Sequence, residues 1–271
     1  MGDPALTAFA AHGLVLPPGR TEQRVAHDGA SIWCAVYGPP TGRAVILLHG
    51  GFGHSGNFAN QIPALTAAGY RAVVIDSRGH GRSTRDARPY SYERMAGDVV
   101  AVMDALGLAK AALIGWSDGA CIAMTLAKTH PERVAGVFFF ACNMDPSGIK
   151  EIDESNPLLG RCFGRHAKDY AALSATPDGF QALVDAVTAM QRTQPDWSAA
   201  DLASLRLPVA SAPIEIVWGE NEEFIRREHL HYLARTIPGA TSRQLPGVSH
   251  FAPIQDPDLF NAALLDFLGR P

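Results

Sequence analysis

The chain is short of positive charge, of paired cysteines and of long apolar runs, and each shortage removes a class of protein. Its 271 residues carry 23 Lys and Arg against 27 Asp and Glu, a formal net charge of −4. That balance gives no basic face to neutralise phosphates, so no nucleic-acid partner is expected. No apolar run reaches the roughly 18 residues of a membrane span, so no membrane partner is expected either. Residues 1–20 hold Asp3 but neither a basic start nor a long apolar stretch, unlike a secretory signal, and a cytoplasmic location is the default expectation. The four cysteines (Cys34, Cys121, Cys142, Cys162) are widely spaced, form no C-x-x-C pair and sit mostly in apolar surroundings. Reduced, buried thiols are predicted rather than a disulfide framework. No H-E-x-x-H, cysteine–histidine cluster or carboxylate-rich loop of metal spacing occurs, and His229 and His231 make only an H-x-H on a helix, where the two side chains diverge. Neither a metal nor a dinucleotide or other cofactor is expected. Hydrophobic residues, at 47%, are ample for a core.

The pentapeptide Gly115-Trp116-Ser117-Asp118-Gly119 organises what is present. An apolar run (AALI, 111–114) precedes it and a helix-patterned run (ACIAMTLAKTH, 120–130) follows. A G-x-S-x-G between strand and helix reads as a nucleophile elbow, in which the glycines clear room for a strained seryl residue with its hydroxyl exposed. The helix N-terminus aims free N–H groups and a positive dipole end at that spot. Asp118, in the helix's first turn, is explained by the dipole alone, which an acid there offsets by ~0.3–1 kcal/mol.

Around the elbow, strand and helix patterns alternate. Residues 1–20, with Pro17, Pro18 and Gly19, read as an irregular arm. TEQRVAH and ASIWCAVYG flank Asp28-Gly29 as a hairpin. Near-continuous apolar runs at AVILLHG, YRAVVIDS, VAGVFFFA and PIEIVWG, with AALI, predict strands buried on both faces, and TSRQLPG is a last strand. Helices are predicted over about 58–68, 91–107, 226–236 and 257–268. The fold class is therefore α/β: one mostly parallel, eight-stranded sheet flanked by helices. From about Asn143 to Pro208 the strand signal stops, and helix-like pieces (KDYAALSA, GFQALVDAVTAM, SAADLASL) are broken at Pro157, Pro177 and Pro195. A loop that long is uncommon without structure of its own, so residues 144–208 are read as a small helical cap, inserted into a core of 1–143 and 209–271. Its Leu158, Leu159, Phe163, Phe180, Leu183, Val187, Met190 and Trp197 are divided between packing and the substrate pocket.

Suggestive stretches end four strands: His49-Gly50-Gly51-Phe52-Gly53, the elbow, Gly219-Glu220-Asn221-Glu222-Glu223-Phe224, and LPGVSHF ending in His250-Phe251. With VIDSRGHGRS, which has Asp76, Gly79, Gly81 and Ser83 at D-x-x-G-x-G-x-S spacing, the chain resembles the α/β-hydrolase family over residues ~21–270. The resemblance implies a Ser-acid-His order, and a serine hydroxyl needs a base because it is a weak nucleophile at neutral pH. His250 is the expected base, since His130 ends a helix and His229 and His231 lie on a surface helix. His49 would organise backbone, and His54 and His80 are left without a role. The family's spacing from Gly219 makes Glu222 the expected acid, with Glu220 and Glu223 pointing elsewhere and Asp145 as rival. Backbone N–H groups of Gly51 and Asp118 would form the oxyanion hole, and Phe52 and Trp116 would line the substrate pocket. The implied activity is hydrolysis of a carboxylic ester with a small to medium acyl group. A lactone or carbon–carbon bond substrate is the alternative, and a binding protein without catalysis is the contrast. Relatives that open epoxides use an aspartate where this chain has Ser117.

Overall fold

The computed structural model describes residues 3–151, 156–207 and 213–270. Strands β1 (Thr21–His27), β2 (Ala30–Tyr37), β3 (Ala44–Leu48), β4 (Arg71–Ile75), β5 (Ala111–Trp116), β6 (Val134–Phe140), β7 (Ile214–Gly219) and β8 (Thr241–Leu245) make one eight-stranded sheet, ordered β1-β2-β4-β3-β5-β6-β7-β8. The β1–β2 hairpin and the β2–β4 pair are antiparallel, and all other neighbours are parallel. The helices are α1 (Pro4–His12), α2 (Gln61–Ala67), α3 (Tyr92–Ala105), α4 (Asp118–Thr129), α5 (Pro157–Leu173), α6 (Phe180–Gln191), α7 (Ala199–Ser204), α8 (Arg227–Thr236), α9 (Ala252–Gln255) and α10 (Pro257–Gly269).

Strand periodicity divides the core in two. Ile46, Leu48, Val73, Ile75, Leu113, Ile216 and Trp218 face α3, α4 and α8. Val45, Leu47, Ala72, Val74, Ile114 and Val217 face α1, α2, α9 and α10. Because both faces are covered, the central strands can be apolar without alternation, and each buried Val, Ile or Leu contributes about 1.5–3 kcal/mol of transfer free energy.

Three elements differ from the sequence reading. The arm at residues 1–20 contains α1: Asp3 Oδ1 accepts from the Leu6 N–H, Pro4 opens the helix, and Leu6 and Phe9 are buried. The helix expected over 58–68 splits into a 3-10 turn (Ser55–Phe58) and the shorter α2. Pro157, taken as a break, instead starts α5, eleven residues ahead of the KDYAALSA piece; the Asn156 side chain caps it by accepting from the Leu158 N–H. Proline at a first helical position loses no hydrogen bond, because that N–H would be unpaired anyway. α5, α6 and α7 all lie between β6 and β7.

The elbow glycines are fixed by packing. A Cβ on Gly119 would stand 2.0 Å from the Leu48 carbonyl oxygen, and one on Gly115 would stand 2.4 Å from the Ala120 Cα. Backbone, which cannot rotate aside, fills both spaces. Gly119→Ala is therefore expected to cost at least the ~1–3 kcal/mol typical of overpacking. Gly164→Ala, on α5 where a Cβ meets nothing within 4 Å, should be neutral or stabilising by up to about 1 kcal/mol. Urea midpoints at constant m-value compare the two.

Candidate active site

Ser117 sits between β5 and α4 with φ 55° and ψ −126°. A non-glycine residue held there costs on the order of 1–3 kcal/mol and persists only where its surroundings over-determine it. They do: the Ser117 N–H donates to the Phe140 carbonyl at 2.9 Å, and its own carbonyl accepts from the Ala120 N–H at 2.7 Å. Gly50 passes overhead, so close that a Cβ on it would lie 3.0 Å from the Ser117 Cβ.

Glu222 is buried, and its Oε1 lies 2.8 Å from His250 Nδ1 while accepting from the Phe224 N–H at 2.9 Å. A carboxylate partner places the proton on Nδ1 and leaves Nε2 as the ring's free nitrogen. Ser117 and His250 line the same cavity. The other two glutamates of this loop, expected from sequence to point elsewhere, reach the loop after β8 as well. Glu223 Oε2 accepts from the His250 backbone N–H at 2.9 Å, and Glu220 Oε2 accepts from the Gly247 N–H at 2.8 Å. The loop after β7 thus grips the loop after β8 at three points. Asp145 accepts from the Ser147 N–H at 2.9 Å and stands 3.7 Å from His229, so its carboxylate is committed away from His250. His229 lies on the buried face of α8 rather than at the surface, because its Nε2 accepts from the Met144 N–H.

The loop after β3 completes the floor. His49 Nδ1 donates to the Gly50 carbonyl at 2.7 Å and Nε2 accepts from the Ser77 N–H at 3.0 Å. Burial holds its pKa down at about 4, so it is neutral and organises backbone. Asp76, wholly buried, accepts from the Ser55 and Arg82 N–H groups at 2.7 and 2.8 Å. The D-x-x-G-x-G-x-S loop wraps it so tightly that a Cβ on Gly81 would stand 2.5 Å from Asp76 Oδ2. Residues Gly51 to Gly56 do spell G-x-G-x-x-G, which the expectation of no dinucleotide cofactor overlooked. Several N–H groups that would cradle phosphate are already used: Gly53 donates to Gly50, His54 to Asn57 Oδ1, Ser55 to Asp76 and Gly56 to His54 Nδ1. A 3-10 turn follows in place of the α-helix that such a motif needs. By contrast, among the described residues the Gly51 and Asp118 N–H groups find no acceptor.

These elements surround a cavity of about 680 Å³. Phe52 and Trp116 line it. Of the eight apolar candidates between β6 and β7, Leu159 and Phe163 line it; Leu183, Val187 and Met190 are buried in the core and Leu158, Phe180 and Trp197 pack against it. The wall of α6 is Val184, Thr188 and Gln191, the same helical spacing displaced by one residue, and α5 adds His166. His166 was not anticipated; burial holds its pKa down at about 4. Asp118 is not a solvated dipole partner. It is buried, its Oδ1 accepts from Tyr92 OH at 3.0 Å, and Gln191 Nε2 donates to both its oxygens at 3.0 Å. Burial raises its pKa.

A strained seryl elbow, an acid–histidine pair and free N–H groups around one cavity define a site equipped for nucleophilic attack on a carbonyl. The family model of the alpha/beta hydrolase fold matches residues 43–181. Epoxide hydrolase B of Mycobacterium tuberculosis is 43% identical over 113 residues, 40% of this chain, and the chain spans 32% of that relative's length. A protein of Caulobacter segnis named as a carbamate hydrolase, RutD, is 30% identical over 257 residues, covering 85% of this chain and 93% of that one. Among solved structures, that of Est816, described as an N-acyl homoserine lactone degrading enzyme, is similar at a TM-score of 0.74 with 27% identity, over 90% of this chain and 100% of that one. The chain belongs to the α/β-hydrolase family. Among the described residues, no helix is long and apolar enough to cross a membrane.

His250 supplies a direct test of the electrostatics. Burial is the largest influence and opposes its protonation, but Glu222, with Glu223 and Asp118, outweighs it and holds the pKa above the ordinary 6.5. Glu222→Gln keeps an acceptor for Nδ1 and removes the charge, so His250 should lose its proton at a lower pH than in the wild type. NMR titration of the imidazole signals measures this, and an unchanged midpoint would contradict the assigned coupling.

Proposed function

We propose that the protein is a cofactor-free serine hydrolase that cleaves carboxylic esters of small to medium, uncharged acyl groups through Ser117, His250 and Glu222. The observation that carries the reading is the convergence of the strained Ser117 and the Glu222–His250 pair on one cavity. His250 takes the Ser117 proton as Oγ attacks the carbonyl, and Glu222 orients the imidazole and stabilises its charged form. Charge on the carbonyl oxygen is met by the Gly51 and Asp118 N–H groups, at the positive end of the α4 dipole. His250 returns the proton to the leaving alcohol, and water, activated by the same base, releases the acyl group. The helices between β6 and β7, within residues 144–208, act as a cap that selects the substrate. Among the described lining residues there is no Lys or Arg, which supports uncharged rather than anionic acyl groups. Lactone opening is the second reading, and the likeness to Est816 favours it. Epoxide opening is disfavoured by the serine at the elbow.

Labelling with a fluorophosphonate probe, together with a screen of p-nitrophenyl esters of increasing acyl length and of lactones, tests the assignment. Ser117→Ala should abolish labelling and lower kcat by about 10⁶. Glu222→Gln should lower kcat by roughly 10³–10⁴. Glu220→Gln and Glu223→Gln should stay within a few-fold, since an amide oxygen still accepts the N–H each one holds. A Ser117→Ala protein that keeps more than a few per cent of activity removes Ser117 from the mechanism.

The cap generates a second expectation. Leu159→Ala and Phe163→Ala open the cavity wall and should shift the preferred acyl length upward, whereas Leu183→Ala, in the core, should cost ~2–5 kcal/mol of stability without reordering the preference. A preference unchanged in both cavity variants would argue against the cap as selector.

A further inference from the structure

One carboxylate stands in the described cavity wall, and its partners come from two layers of the molecule. Tyr92, opening α3, donates its hydroxyl hydrogen to Asp118 Oδ1, and Gln191, in the last turn of α6, donates from Nε2 to both Asp118 oxygens. Gln194, just beyond, accepts from the Tyr92 N–H at 3.2 Å. The same pair abuts the loop after β3: a Cβ on Gly51 would stand 2.9 Å from Asp118 Oδ2 and 3.1 Å from Gln191 Nε2. The Asp118–Gln191 contact therefore touches both residues whose N–H groups face the reacting oxygen, being the side chain of one and pressed against the Cα of the other.

We infer that Gln191 is a positioning residue for the oxyanion hole: by holding the Asp118 carboxylate against Gly51 it fixes the spacing of the two N–H donors, so the seating of α6 on the core sets the stabilisation of the transition state. The inference rests on the hydrolase reading above. Donors aimed at developing charge are effective only when they need no rearrangement as the reaction proceeds. A neutral amide also suits the place, since it meets a buried carboxylate, which would otherwise repel that developing charge, without adding a net charge of its own.

The test measures the second-order rate at which Ser117 reacts with a fluorophosphonate, whose phosphoryl oxygen gains charge in the same hole, and it needs no knowledge of the substrate. Gln191→Leu should slow labelling roughly 10- to 100-fold, less than the ~10²–10³ lost with a donor itself. With an ester substrate, kcat should fall alike and KM stay within about threefold. Gln191→Glu sets two carboxyl groups in contact, which are tolerated only while they share a proton. Its labelling should decline as pH rises, while that of the wild type climbs with deprotonation of His250. The other titratable groups facing Asp118 and Tyr92 are His250, Cys121 and Cys142; all are common to both proteins, so the added limb belongs to the new pair. The double variant Asp118→Asn/Gln191→Glu restores an amide–carboxylate contact in reverse and should label faster than Gln191→Glu, without the added limb. Labelled amplitude, read separately from rate, accounts for any unfolded fraction. Gln191→Leu labelling at the wild-type rate, a change confined to KM, or a double variant no faster than Gln191→Glu would each overturn the inference alone. A wild type whose Ser117 does not label overturns the hydrolase reading and the inference with it.

Discussion

The backbone of Ser117 is the constraint on which the site depends. Its left-handed φ of 55° is unfavourable in isolation, and the surrounding core holds it in place. β5 must deliver the chain into α4 while α4 packs against the end of β3, close enough that the Leu48 carbonyl takes the place of a side chain on Gly119. Strain at this turn is balanced by burial elsewhere. The central strands and α4 are almost wholly inaccessible to solvent, so the many apolar contacts of β3, β5 and β6 hold one unfavourable torsion in place. The hydroxyl, the N–H of Asp118 and the helix dipole reach a common point because one turn positions all three.

His250 is held by a different strategy. It lies on a loop, where a side chain is ordinarily less well fixed, and the fixing comes from acids on a neighbouring loop. Glu222 holds the ring, Glu223 the backbone of the same residue, and Glu220 the turn three residues earlier. Backbone contacts add to them: the Glu220 and Asn221 N–H groups donate to Leu245 and Val248. Glu220 thus does mechanical work alone, while Glu222 and Glu223 also bear on the charge state of the imidazole. Because Glu222 and Glu223 also raise the His250 pKa, the contacts that hold this loop help set the pH at which the imidazole loses its proton.

The sheet, its eight strands and the candidate site residues at their ends were legible in the sequence because buried parallel strands are written as short apolar runs and tight turns as glycines. Ser117, His250 and Glu222 are reached by spacing; Ser117 and His250 line one cavity, and Glu222 holds the His250 ring from outside its lining. Features that depend on which side of a helix faces inward were not legible. On α6, Leu183, Val187 and Met190 carry the apolar signal and go to the core, while the cavity receives Val184, Thr188 and Gln191, a rotation of one residue that hydropathy favours against. Asp118 and His229 were misread for a related reason: a polar residue near a helix start, or on an amphipathic helix, is solvated in most proteins, and only the partners Tyr92, Gln191 and Met144 make burial affordable here. α1 was hidden by the Pro17-Pro18-Gly19 stretch, although Asp3-Pro4 is a helix start and Gly13 a helix stop.

The electrostatic character of the cavity follows from these same misread positions. A site that develops negative charge on its substrate gains from nearby positive charge, yet the described lining contains no Lys or Arg, and burial holds His166 neutral. The positive potential comes instead from dipoles, in the two N–H groups and the end of α4, whose magnitude does not change with pH. Against them stands one carboxylate in the described lining, Asp118, the side chain of a residue whose own N–H is unpaired. Such a group is tolerable only if its charge is directed into other donors, and two are supplied, one by the core through Tyr92 and one by α6 through Gln191. The geometry that satisfies Asp118 is thus the geometry in which α6 lies against the core and the cavity is walled on that side, so closing the wall and tuning the field are the same structural event.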